Sequence, residues 1–141
     1  MPSFRSTIRA LAALLALGVG VEARAADWQQ FATDQELNRY AVDASRIVRS
    51  EGIVRASVRT EYSKPRERTD VEKPIFYAVD RLAVRCAERS FALESRTYVT
   101  ADGEEILALA TARDELEFRG VVEGSTSAAI VRHLCGSGGG R

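Results

Sequence analysis

The chain has 141 residues, with 20 Lys and Arg against 20 Asp and Glu. That length suits one domain, and the balanced charge carries no basic footprint for nucleic acid. At 45% hydrophobic and 28% charged residues the composition excludes wholesale disorder.

Arg5 and Arg9 open the chain, and Leu11 to Val21 follow as an apolar run without a charge. Ala23-Arg24-Ala25 then supplies a small-x-small cleavage site. This layout predicts a secretory signal peptide over residues 1–25. The apolar run is shorter than the roughly 20 residues a membrane helix needs. Removing it leaves 17 basic and 19 acidic residues in a mature chain that begins at Ala26. No Cys lies at the cleavage site, so neither a lipobox nor a lipid anchor is expected. The mature domain, residues 26–136, is expected in the periplasm or at the cell surface and beyond. Residues 137–141 read as a flexible Gly-rich tail.

Residues 28–33 and 38–42 read as short strands around the polar turn at Thr33 to Glu36. Asp43 to Arg46 reads as a turn, because Asp and Ser side chains bond nearby backbone. Residues 53–62 alternate cleanly. Val54, Ala56, Val58 and Tyr62 fall on one face, and Arg55, Ser57, Arg59 and Glu61 on the other, as in a sheet with one wet side. Residues 63–74, bracketed by Pro65 and Pro74, hold no apolar stripe and read as a charged, mobile loop. Residues 75–86 return to strand, with Leu82, Val84 and Cys86 on one face. Residues 90–100 form the next strand, with Phe91, Leu93 and Val99 expected together. Asp102-Gly103 marks a tight turn, and residues 104–112 return.

The period then changes. Ser125 caps a helix in which Ile130 and Leu134, and Val131 and Cys135, share a face. Arg132 and His133 lie off that face, with His133 solvated, and Gly136 is a natural stop. Strands followed by one helix, without repeated strand–helix units, predict an antiparallel α+β domain. Cys86 and Cys135 are the only cysteines, and an exported chain oxidises such a pair. A bridge between them ties the last helix to the sheet. Its loop closure is worth about 4 kcal/mol in the chain-entropy model. His133 with Cys135 supplies too few ligands for a structural metal, which takes four, and no cofactor is expected.

Catalytic chemistry finds little material. His133 is the only base for a nucleophile–His–acid triad. Glu104 and Glu105 are adjacent on a strand and point to opposite faces. Asp114-Glu115-Leu116-Glu117 reads as a solvated loop. Neither a GxxxxGK[ST] loop nor a GxGxxG fingerprint occurs. Arg46, Arg49, Arg55, Arg59, Lys64, Arg66 and Arg68 form a loose basic stretch, interrupted by Glu51, Glu61 and Glu67. Two readings stand: a solvated mixed-charge face, or a docking surface for an acidic partner formed by Arg55, Arg59, Lys64, Arg66 and Arg68. As surface charges, Arg55 and Arg59 are expected to leave stability untouched.

The order of signals resembles the surface-adhesin protein E family of exported bacterial proteins. Asp27-Trp28, Tyr40 to Arg49, the strand from Ile53, Cys86 to Phe91, Asp102-Gly103, Gly124-Ser125 and Leu134-Cys135-Gly136 carry the resemblance. It covers about residues 27–136. It implies a six-stranded antiparallel sheet with a C-terminal helix tethered by the disulfide. It also implies a binding role toward extracellular-matrix, plasma or envelope proteins. The chain departs from the family in lacking a lipobox, in Phe118 where tryptophan is common, and in Glu123-Gly124-Ser125 for Pro-Gly-Ser.

The expected function is therefore a non-enzymatic, adhesin-like binding protein of the envelope, with a protein partner, and self-association into a homo-oligomer stays open. The alternatives are a small-ligand carrier using the concave sheet face beside the helix, or an enzyme whose site is dispersed over loops.

Overall fold

The computed structural model describes residues 25–136. The expected leader up to Arg24 and the tail from Ser137 lie outside the described residues. One sheet carries strands β1 (Trp28–Thr33), β2 (Arg39–Asp43), β3 (Val48–Ser50), β4 (Ile53–Arg68), β5 (Val71–Arg85), β6 (Ser90–Thr100), β7 (Glu105–Ala110) and β8 (Arg119–Gly120), and helix α1 (Thr126–Gly136) follows. The main path runs β1-β2-β4-β5-β6-β7, while β3 pairs with β4 and β8 with β6. Every pairing is antiparallel. The α+β expectation thus holds, with two short strands beyond the six.

The turn expected at Asp43 is a single 3-10 turn, Ala44–Arg46. The Asp43 carboxylate accepts from the Ser45 N–H at 3.1 Å, the Ser45 hydroxyl at 2.6 Å and the Asp27 N–H at 3.0 Å. Burial pushes the Asp43 carboxyl up, but these bonds outweigh it and the net shift is downward. Asp43 therefore ties the start of the domain to the end of β2.

The helix lies on the inner face of the sheet. Ser125 accepts from the Ala128 N–H at 3.2 Å, as a helix cap should. Ala128, Val131 and Leu134 are buried, and Val131 and Leu134 pack on Val42, Val54, Ala56, Val58, Leu82 and Val84. Fully burying a side chain such as Leu134 is worth about 2 kcal/mol. Cys86 and Cys135 are bonded, with Cα atoms 5.5 Å apart and a sequence separation of 49. His133 is not simply solvated: its ring stacks on Phe31, centroids 4.4 Å apart.

Two expectations need correction. Residues 63–74 are not a loop: β4 runs to Arg68 and β5 begins at Val71, so they form a hairpin arm. An apolar stripe is required only where a face is buried, and most of this arm is exposed. Arginine–aromatic stacking helps to hold it, with Arg66 over the Tyr62 ring at 4.7 Å and Arg68 over Tyr98 at 5.2 Å. Pro65 and Pro74 fall where the register slips, so the ladder does not need their missing N–H. Second, Val99 is not on the face of Phe91 and Leu93. Leu93 pairs with Leu82 and Ser95 with Arg81, leaving Glu94 as an extra residue. That bulge reverses the alternation. Val99 then pairs with Tyr77 on the outer face, while Tyr98 turns inward to pack with Ile75 and Ala78.

Candidate functional site

The outer face of the sheet displays an arginine–aromatic ladder. Arg59 and Tyr77 alternate onto this side, and Trp28 reaches it from the edge strand β1. The Arg59 guanidinium lies 4.9 Å from the Trp28 ring centroid and 5.7 Å from that of Tyr77. One end of the guanidinium pairs with Glu61 at 2.8 Å, and Arg39 reaches the same carboxylate. The Arg59 Nε is buried without a hydrogen-bond acceptor, so ring contact is its compensation.

Farther along the same face, Glu94 accepts from Arg55 at 2.7 Å and from Arg81 at 3.1 Å. The Arg55 side chain is 18% exposed and that of Glu94 is 9% exposed. Arg55 is therefore a structural partner of the bulge at Glu94, not a solvated charge. The same bulge that turns Val99 outward aims Glu94 at the arginines.

The inner face holds an open cleft of about 930 Å³ between the start of α1, the β1–β2 turn and the sheet. Its floor is the cross-strand pair Asp80–Arg96, joined by two bonds of 2.7 and 2.6 Å. The Asp80 carboxylate raises the Arg96 pKa still further above its ordinary value. On one wall Asp34 accepts from the Tyr40 hydroxyl at 2.7 Å and from both nitrogens of Asn38 and the Glu36 N–H. The Tyr40 bond is the largest reason the Asp34 carboxyl sits below its ordinary range. Burial, and then Asp34, hold the Tyr40 phenol above its own. The Tyr62 phenol is raised by burial.

The hairpin arm adds further ion pairs. Arg66 lines the inner cleft and pairs with Glu36 at 2.8 Å. Lys73 reaches Asp102 at 2.9 Å and Glu104 at 2.8 Å in the β6–β7 turn. The Thr100 hydroxyl and then Lys73 pull the Asp102 carboxyl down to about 2. Arg68 is held by Asp70 at 2.9 Å. Lys64 has no partner among the described residues. The five cations singled out in the sequence thus do not form one patch. Arg55 and Arg59 are on the outer face, Arg66 turns to the cleft, and Lys64 and Arg68 belong to the arm.

Sequence reasoning missed Trp28 and Tyr77 as partners of Arg59, and missed the cleft. One signal was available. Asp80 falls in phase with Ala78, Leu82 and Val84, so a carboxylate is directed at the helix side and calls for a cation across the strand. Among the described residues, no cluster of three or more His, Cys, Asp and Glu is placed to hold a metal ion.

Comparison with known proteins supplies the family. The model of the surface-adhesin protein E family matches residues 28–136. Solved structures of Haemophilus influenzae protein E are similar in fold. Crystal form II superposes with a TM-score of 0.59 at 10% identity, covering 77% of this chain and 87% of that one. A second structure gives a TM-score of 0.56 at 12% identity, covering 77% and 84%. No curated protein sequence matches the chain. The family match spans all eight strands and the tethered helix: the chain belongs to the surface-adhesin protein E family.

Proposed function

We propose that the protein is a non-enzymatic docking module of the bacterial envelope, binding an acidic surface on a matrix or envelope protein through its outer sheet face. The observation that carries this reading is the Trp28–Arg59–Tyr77 ladder. Tryptophan, tyrosine and arginine are the residues in which binding hot spots are richest, and here they stack together on a sheet face that the helix leaves open. Arg39 and Arg81 extend the positive character around the ladder and steer an acidic partner toward it. Membership of a surface-adhesin family supports a role in adhesion. Export by cleavage after Ala25 goes with this reading, and intact mass of the exported chain tests that step.

The experiment is a hydrogen-exchange footprint. The exported protein is offered to immobilised extracellular-matrix proteins and, separately, to solubilised envelope proteins. In any complex that forms, added protection is expected in β1, β4 and β5 around Trp28, Arg59 and Tyr77. Protection confined to α1 and the inner cleft contradicts the reading.

A further inference from the structure

We propose that the inner cleft is a second binding site, built for a neutral oligosaccharide. It lies on the opposite side of the sheet from the Arg59 ladder, and this inference does not rest on the docking role of that face. Its volume of about 930 Å³ is in the range of small-molecule sites.

The ionic groups of the cleft already have their hydrogen-bonding partners within the fold. Asp80 and Arg96 are paired at two points, Arg66 pairs with Glu36, and Asp34 accepts four bonds from neutral donors. An anionic ligand meets Asp34, Glu36 and Asp80 and has to pull an arginine from its carboxylate. A cationic ligand finds Asp80 and Glu36 already held by arginines and the Asp34 oxygens taken by four neutral donors. A neutral ligand rich in hydroxyls meets neither obstacle.

Hydrogen-bonding capacity remains for such a ligand. The hydroxyls of Tyr62 and Thr60 line the cleft and make no hydrogen bond among the described residues. The N–H groups of Thr126 and Ser127 open the first turn of α1 and have no partner within the helix. The paired carboxylate of Asp80 keeps lone pairs free. A purely apolar ligand leaves all of these unsatisfied, which is costly on burial. Beside them, Phe91, Leu82 and Ile130 offer apolar surface for the C–H faces of a pyranose ring. A smaller hollow of about 600 Å³ under the arm shares Glu36, Asn38 and Arg66 with the cleft. The groove is therefore long enough for more than one sugar unit.

The test is an NMR titration of the exported protein with chitotriose and with maltotriose, using sialyllactose and stearate as anionic and apolar counterparts. A neutral trisaccharide is expected to bind, with shifts clustered at Asp34, Tyr62, Arg96 and Ser127. Ser127→Trp, which fills the cleft, and Asp80→Asn, which unbalances its floor, are each expected to weaken binding about tenfold or more. Melting curves of both variants establish that they are folded. If neither trisaccharide binds, if sialyllactose or stearate binds more tightly, or if Ser127→Trp binds as well as wild type, the proposal is overturned. Presenting the sugar tethered through its reducing end separates the sources. Binding in both formats assigns a glycan chain, and binding of the free form alone assigns a soluble sugar.

Discussion

Arg55 donates to Glu94 across the outer face at 2.7 Å, and both side chains are largely withdrawn from water. Arg81 reaches the same carboxylate at 3.1 Å with its own side chain 55% exposed. The two arginines therefore differ in consequence. Arg55→Ala leaves a buried carboxylate short of its closer partner and is expected to cost about 2–3 kcal/mol. Arg81→Ala removes an exposed contact and is expected to cost under about 1 kcal/mol. Urea unfolding of the two variants compares them directly, and equal losses contradict the burial argument.

The bridge between Cys86 and Cys135 fastens α1 to the end of β5. Either Cys→Ser substitution is expected to cost about 4 kcal/mol, and the double variant no more than either single one. The check is chemical denaturation of all three variants under oxidising conditions. Additive losses mean that the two thiols act separately.

Asp43 contributes to acid stability. Its folded pKa is held below the ordinary value, so the unfolded chain binds its proton more readily than the folded one. The carboxylate therefore contributes stability that is complete above the unfolded pKa, about 3.9, and fades as pH falls through the folded pKa. Asp43→Ala also removes the cap of the 3-10 turn. It is expected to cost about 2 kcal/mol at neutral pH, with the gap to wild type narrowing below about pH 4. Thermal melts across that range measure it. A gap that widens with acid reverses the sign and refutes the assignment.

How far the sequence could be read depended on where alternation stayed intact. From Val54 to Tyr62 the period of two was unbroken, and both faces of β4 follow it. The capped helix, its buried face and the cysteine pair were legible for the same reason: each is set by local spacing. Val99 was misplaced because a single bulge at Glu94 shifts the phase of everything after it, and no residue type announces a bulge. The arm from Ser63 to Pro74 was misread because its strands owe little to apolar burial. Arginine over tyrosine leaves no periodic trace. The Arg59 ladder was half legible. Arg59 was on the polar face from its spacing, but Trp28 and Tyr77 reach it only through the pairing of β1 with β2 and of β4 with β5.

The central claim is that the outer face binds through Arg59, held between Trp28 and Tyr77. The most direct measurement is the affinity of wild type and Arg59→Ala for a partner captured from the matrix panel, with melting temperatures recorded alongside. Arg59→Ala is expected to weaken binding about tenfold or more by speeding dissociation. Arg39→Ala, at an exposed cation beside the ladder, is expected to change mainly the association rate and its salt dependence. An Arg59→Ala protein that remains folded and binds as tightly as wild type contradicts the account.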